Sequence, residues 1–237
     1  MPAPGMHSGV ATDEALNLSM SASAVPLFEA VREFIANEVD PITEEFYALG
    51  EGRSDRWSFA DGQLELLDGV KAKARAAGLW NFFLPDADTG EGLSNLDYAY
   101  IAAELGKSPL APECLNCSAP DTGNMEVLER VGTAAQMGRW LKPLLDGRIR
   151  SAFAMTEPDV ASSDARNVAT SAVLDGDEWL INGEKFYISG AGDPRCEIMI
   201  VMVRTSPDGP PHQQQSQILV PMNTPGVEIV GAMQVFG

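Results

Sequence analysis

Histidine is nearly absent from this sequence: His7 and His212 are the two in 237 residues. A histidine-based nucleophile relay or a His-rich metal site therefore has little to draw on. Cysteine is scarce as well. Cys114, Cys117 and Cys196 are too few to staple a chain of this length, and one is left over if two pair, so a reducing compartment is expected. Basic charge is in short supply, with 16 Lys and Arg against 34 Asp and Glu for a net charge of -18. Both sides of residue 150 are net acidic, which argues against non-specific attraction to nucleic acid or to an anionic membrane. Long apolar runs are missing too. The longest, Ile198 to Val203, is far below the roughly 20 residues that span a bilayer. The first two dozen residues hold no Lys or Arg, so they lack the basic start of a secretory signal and the Arg-rich face of a transit peptide. A cytoplasmic protein is expected.

What is present is ordinary for a folded globular chain: 45% hydrophobic and 21% charged residues. Residues 1–25 are small, polar and aperiodic, and are expected to form a flexible tail. From Leu27 the apolar positions Val31, Phe34, Ile35, Val39, Ile42 and Phe46 recur at three- and four-residue steps, predicting a helix with one buried face that Pro41 kinks or divides. Leu64, Leu67, Val70 and Ala74 make a second stripe, closed by Gly78. Ser94 with Asp97 opens a third helix that stops at Gly106. A fourth runs from Thr122 or Gly123 to Val131, and Thr133 with Gln136 reads as a capping box for a fifth through Trp140 to Leu145. Residues 26–148 are therefore expected to be a helical domain.

After Arg150 the period drops to two. Ser151 to Thr156, Val168 to Leu174, Glu178 to Ile181, Lys185 to Ser189, Glu197 to Thr205, Gln217 to Pro221 and Val227 to Val235 read as strands. Asp175-Gly176-Asp177 and Asn182-Gly183 predict hairpins. Ser206 to Gln215 is a loop. Strands without intervening helices point to an antiparallel, barrel-like sheet over residues 149–237, so the fold class is α+β: a helical bundle followed by a β domain.

Three familiar motifs fail. Cys114-Leu115-Asn116-Cys117 has no second cysteine pair and no nearby histidine to complete a metal site, and reads as two small buried thiols. Gly190-Ala191-Gly192 is a fragment of a dinucleotide fingerprint, with Arg195 where the last glycine belongs. No G-x-S-x-G occurs.

Two segments carry more. Phe153-Ala154-Met155-Thr156-Glu157-Pro158-Asp159-Val160-Ala161-Ser162-Ser163-Asp164 ends a strand at a proline and follows it with small and hydroxyl residues, either a tight surface turn or a loop whose N–H groups face a ligand. Asn182-Gly183-Glu184-Lys185-Phe186-Tyr187-Ile188-Ser189 follows at the next turn. Together these resemble the acyl-CoA dehydrogenase family, whose β domain opens with a Thr-Glu-Pro loop ending in Ser-Asp and later shows Asn-Gly-x-Lys before an aromatic, Ile and a hydroxyl residue. The resemblance extends through Trp140-Leu141-Lys142-Pro143-Leu144-Leu145-Asp146-Gly147, and Pro120-Asp121-Thr122-Gly123-Asn124 looks like one branch of that family.

The resemblance implies FAD as cofactor and an acyl-CoA thioester as substrate, oxidised across its α and β carbons. Phe153, Met155 and Thr156 match the strand end that lines the isoalloxazine ring. Ser162 and Ser163 match the pair near the pyrophosphate and the acyl-CoA, although the loop is one residue longer than the commoner form. Tyr187 matches the aromatic on the flavin face, often Trp, and Ser189 the hydroxyl near N5, often Thr. Read without the resemblance, Phe153 and Tyr187 would be core fillers and Ser189 a strand-end hydroxyl. Relatives pass electrons to an electron-transfer flavoprotein or similar acceptor and assemble as homo-oligomers. The family's catalytic base is a glutamate in a C-terminal helical domain, and no residue here matches it, so no catalytic residue is assigned; Glu157 reads as a structural acceptor. Two alternatives remain: another flavoenzyme of the same fold, such as an acyl-CoA oxidase, nitroalkane oxidase or flavin monooxygenase, or a non-catalytic or half-site partner subunit.

Overall fold

The computed structural model describes residues 18–55, 57–87 and 89–233. Of the expected flexible tail, residues 1–17 lie outside the described residues. Its last part is tied down: the Ser21 N–H donates to Asp97 Oδ1 at 2.7 Å, and the Tyr100 hydroxyl donates to the Leu18 carbonyl at 2.7 Å.

The first apolar stripe forms α1 (Val25–Phe34) and α2 (Asp40–Leu49), joined without a break by a π turn at Ile35–Val39. Pro41 has no N–H and its ring crowds the carbonyl four residues back. The wider turn, closed by the Asp40 N–H on the Ile35 carbonyl, accommodates it without ending the helix. The chain does this twice. A π turn at Met137–Leu141 links α7 (Ala134–Gln136) to α8 (Lys142–Leu145) just ahead of Pro143.

The predicted helix ends are found where local chemistry demanded them. Helix α3 (Gln63–Ala76) closes on Gly78 at φ +73, with the Leu79 N–H reaching back to the Ala74 carbonyl at 2.9 Å. Ser94 Oγ accepts the Asp97 N–H at 3.1 Å at the start of α4 (Asn95–Leu105), and Thr133 and Gln136 form the capping box of α7. A short α5 (Ala111–Cys114) was not anticipated, and α6 (Asp121–Val131) begins at Asp121.

The second half is a five-stranded sheet. Its centre is β4 (Cys196–Arg204), with β5 (Gln215–Pro221) antiparallel along one side. Along the other side lie β1 (Arg150–Ala154), paired from Ser151↔Ile198 to Ala154↔Val201, and then β2 (Ser171–Asp175), which meets β4 at Ser171↔Arg204. Both of these pairings are parallel, so the sheet is mixed where an antiparallel one was expected. The reason is the length of residues 155–195, which lets the chain cross over and return in the same direction. The hairpin of β2 and β3 (Glu178–Asn182) turns at Gly176, φ +63, as its Asp-Gly-Asp predicted.

Two expected strands are absent. Lys185 to Ser189 is irregular because the chain leaves the hairpin at Gly183, so close to Thr170 that an added Cβ would lie 2.4 Å from Oγ1. Residues 227–233 find no strand to pair with, and residues 234 and 235 lie outside the described ones.

The pleat sorts the core. Ile198 of β4 joins the helical cluster around Leu67, Phe82, Ile101, Met125 and Leu144, while Val201 and Val203 join Ala154, Ala172 and Val220 on the opposite face. The sheet thus lies with one face against the helices, and β1 sits at their junction.

Candidate functional site

Residue pairing brings the candidate residues together along one edge of β1. The Phe186 N–H donates to the Thr156 carbonyl at 3.0 Å, and the Thr156 hydroxyl donates to the Phe186 carbonyl. Four residues on, a Cβ at Gly190 would sit 3.1 Å from the Ser151 carbonyl. Residues 186–190 therefore run beside β1 in the opposite direction, which sets Tyr187 and Ser189 alongside Met155 and Phe153. Ile188, between them, packs against the sheet's outer cluster. Tyr187 and Ser189 are exposed, and Phe153, Met155 and Thr156 are partly so.

Tyr187 is the unusual member. It is 50% exposed and its φ is +55, with its ring edge-on to Phe186 at 4.4 Å. A bulky residue in the left-handed region costs roughly 1–3 kcal/mol and persists only where its surroundings hold it. An exposed ring gains nothing from core burial that would offset this.

The two serines divide. Ser163 is exposed on the loop after β1. Ser162 is buried at 3%, and its Oγ accepts the Glu157 N–H at 2.9 Å, so that hydroxyl oxygen is engaged within the loop itself.

Glu157 is the hub of this region. Its carboxylate accepts the Ala169 N–H at 2.7 Å, the Thr170 N–H at 2.9 Å, the Thr170 hydroxyl at 2.6 Å and Lys185 Nζ at 2.8 Å. Burial opposes its ionisation, yet Lys185, Thr170 and the two amides outweigh that and hold the carboxyl at about 2. A carboxylate so fully engaged is a poor proton acceptor. The sequence pointed to its structural role and to Lys185 as the lysine of Asn-Gly-x-Lys, but not to their pairing; Lys185 Nζ also donates to the Met155 carbonyl at 3.0 Å. The available signal was a lysine set between Glu184 and the apolar Phe186-Tyr187-Ile188.

A second hub lies beneath, at the junction with the helices, and was not anticipated. Glu113 accepts from Lys71 at 2.8 Å, Arg150 at 2.7 Å and Arg195 at 2.5 Å. Burial is opposed by Arg150, Arg195 and Lys71, which hold Glu113 at about 2. Asp121 pairs with Arg150 and also accepts the Ser151 N–H at 2.7 Å and its hydroxyl at 2.6 Å, while Asn124 donates to Ser151 Oγ at 2.9 Å. Arg195 further pairs with Asp193 and lies 4.5 Å over the Phe59 ring. Gly192 touches the Trp57 indole so closely that an added Cβ would fall 1.0 Å from a ring carbon. The Gly-Ala-Gly fragment thus serves packing.

Cys114 and Cys117 are buried thiols, as their sequence context predicted, and Cys196 is buried and free as well; burial pushes the Cys114 and Cys196 thiols up to about 12. No helix among the described residues is long and apolar enough to cross a membrane.

The comparisons with known proteins agree with one another. Residues 23–148 match the family model for the acyl-CoA dehydrogenase N-terminal domain, and residues 152–237 match that for the acyl-CoA dehydrogenase middle domain. FadE2 of Mycobacterium tuberculosis, which carries the acyl-CoA dehydrogenase name, is 48% identical over 225 residues, 94% of this chain and 53% of that protein. A solved structure from Mycobacterium abscessus with the same assignment superposes at TM-score 0.80 and 50% identity, over 88% of this chain and 52% of that one. Glutaryl-CoA dehydrogenase from Mycobacterium smegmatis, solved in complex with FADH2, shares the fold at TM-score 0.62 and 24% identity, over 91% of this chain and 48% of that one. The chain spans about half the length of FadE2. With both family models matched in order along nearly its whole length, the chain belongs to the acyl-CoA dehydrogenase family.

Proposed function

We propose that this chain supplies the flavin face of an FAD-dependent enzyme that oxidises an acyl-CoA thioester between its α and β carbons. The observation that carries the reading is Tyr187: an exposed aromatic in a left-handed conformation, set beside the end of β1 by the reciprocal Thr156–Phe186 bonds. Strain at an exposed ring is what a ligand-facing position tends to hold.

The residues along this edge suit a flavin. Tyr187 offers a ring face, Phe153 and Met155 offer partly exposed apolar surface, and the hydroxyls of Ser189 and Ser163 are exposed to a ligand's polar atoms. Thr156 has its hydroxyl proton on Phe186, so it meets a ligand as an acceptor. Gly190 at φ +81 lets the segment lie against β1 without a side chain in the way. When bound, FAD would supply the hydride acceptor that no amino-acid side chain provides. The protein's contributions are to orient the ring on this edge and to present Ser163 toward the substrate side. Ser162, buried and bonded to Glu157, supports the loop from within.

Proton abstraction from the α carbon is assigned to no residue of this chain, since Glu157 is committed to four donors. The same reading places the protein in the cytoplasm, in a homo-oligomer, passing electrons to an electron-transfer flavoprotein or a comparable acceptor. Titrating the purified chain with FAD and following the flavin absorption band tests the central claim. Saturable uptake with a shifted band is expected, weakened in Tyr187→Ala; a chain that leaves the free-flavin spectrum unchanged overturns it.

A further inference from the structure

The segment that carries Tyr187 has no strand partner, yet it holds a bulky residue at positive φ. Two backbone-level contacts at Thr156 and Phe186 are not enough to say what fixes its distance from β1. Lys185 is. Its side chain is 12% exposed, and its Nζ bonds both the Met155 carbonyl, at the end of β1, and the Glu157 carboxylate, which is 5% exposed. The carboxylate in turn collects the Ala169 and Thr170 amides ahead of β2, and the Glu157 N–H holds Ser162. One ion pair therefore joins the end of β1, the start of β2, the serine loop and the Tyr187 segment. Residues 155–157 and 185 are the points at which the two sequence motifs physically meet.

We infer that the Glu157–Lys185 pair is a positioning element for the flavin edge, holding Tyr187 and Ser189 at the level of Met155 and Phe153 so that one planar ligand can lie across both. Neither residue touches the ligand. The inference rests on the FAD reading above and assigns its affinity to residues outside the contact surface. The charges of a buried pair are not in themselves what folding depends on, because an apolar pair of similar volume can often replace them; the stability that Glu157 adds here comes with the Ala169 and Thr170 donors it also satisfies. The pair is suited to fixing one geometry among several.

The test uses the 237-residue chain, with Glu157→Gln/Lys185→Met as the main variant, which removes both charges and leaves no lone buried ion. Lys185→Arg serves as the conservative variant. Three quantities are read: FAD affinity from the absorption titration, hydrogen exchange of the Phe186 amide without ligand, and the urea unfolding midpoint. The double variant is expected to stay folded without denaturant at a lowered urea midpoint, to exchange Phe186 faster, and to bind FAD with a Kd raised roughly tenfold, the order that supporting contacts carry at preorganised sites. Lys185→Arg recovers part of the affinity. Unchanged FAD affinity in the double variant overturns the inference, whether or not Phe186 exchange changes. A loss of affinity matched by global unfolding also overturns it, by making the pair a folding element. If the wild-type chain takes up no FAD, the functional reading itself fails, and the inference falls with it.

Discussion

Among the described residues the partly buried Glu113 and the buried Glu157 are both held at about 2, and they are held differently. Glu113 faces three cations, Lys71, Arg150 and Arg195, which come from a helix, the first strand and the turn before β4. Glu157 faces one cation and three uncharged donors, all from segments that border one loop. The first arrangement ties the helices to the sheet across long sequence separations. The second shapes a short stretch of surface. Equal acidity thus accompanies unequal jobs: charge on charge joins domains, whereas a carboxylate satisfied mostly by neutral donors sets local geometry.

Removing Glu113 should give the largest effect and is the most direct way to break this comparison. Glu113→Ala leaves Arg150, Arg195 and Lys71 crowded together, and a cost of about 3–5 kcal/mol is expected in urea unfolding. A loss below about 1 kcal/mol would show that the junction does not depend on the hub. Ser151→Ala comes next. It strips Asp121 of one hydrogen bond and leaves Asn124 Nδ2 facing an apolar methyl, for which about 1–3 kcal/mol is expected from the midpoint shift in the same assay.

Acid titration of the wild type and of Glu113→Gln separates the hubs. Both carboxyls lie at about 2 in the folded protein, below their ordinary value of 4.5, so between these values the unfolded chain binds more protons than the folded one. Their stabilising contribution is whole above about pH 4.5 and is lost as pH falls toward 2. Wild type should therefore lose stability steeply over that window, and Glu113→Gln should flatten the slope; an unaltered slope in the variant refutes the assignment. The smallest effect should come from Thr133→Ala, which removes the capping box of α7 far from either hub, at about 1 kcal/mol and with no change in the acid slope. Thermal unfolding monitored by circular dichroism at neutral and acidic pH checks it.

The same contrast explains what the sequence disclosed. Helix starts at Ser94 and Thr133, the stop at Gly78 and the β2–β3 hairpin depend on residues within a few positions of one another, so their pattern is visible in one dimension. Pairing of β1 with β4, the Arg150–Glu113 contact and the packing of Gly192 on Trp57 join positions far apart, and nothing local encodes them. Lys185 to Ser189 has the composition of a strand, but Gly183 and the left-handed Tyr187 turn it into a ledge beside β1. The motif residues were identifiable through their family resemblance. The ion pair that links Glu157 with Lys185 was not, because spacing does not reveal which polar groups are buried together.

The two π turns have a consequence for insertion and deletion. An α-helix advances about 100° per residue, so one residue added within a turn rotates everything after it by that amount. A π turn instead takes up one extra residue within a single wide turn, so at Ile35–Val39 the ladder resumes with Phe46 still on the side of Val31 and Phe34, and at Met137–Leu141 the same turn precedes the buried Leu144. Deleting one residue from either turn would restore an ideal ladder with Phe46 or Leu144 still on the buried side, but Pro41 or Pro143 would then meet an unrelieved carbonyl. In both places the irregular geometry absorbs one residue and makes room for a proline while the hydrophobic stripe runs on.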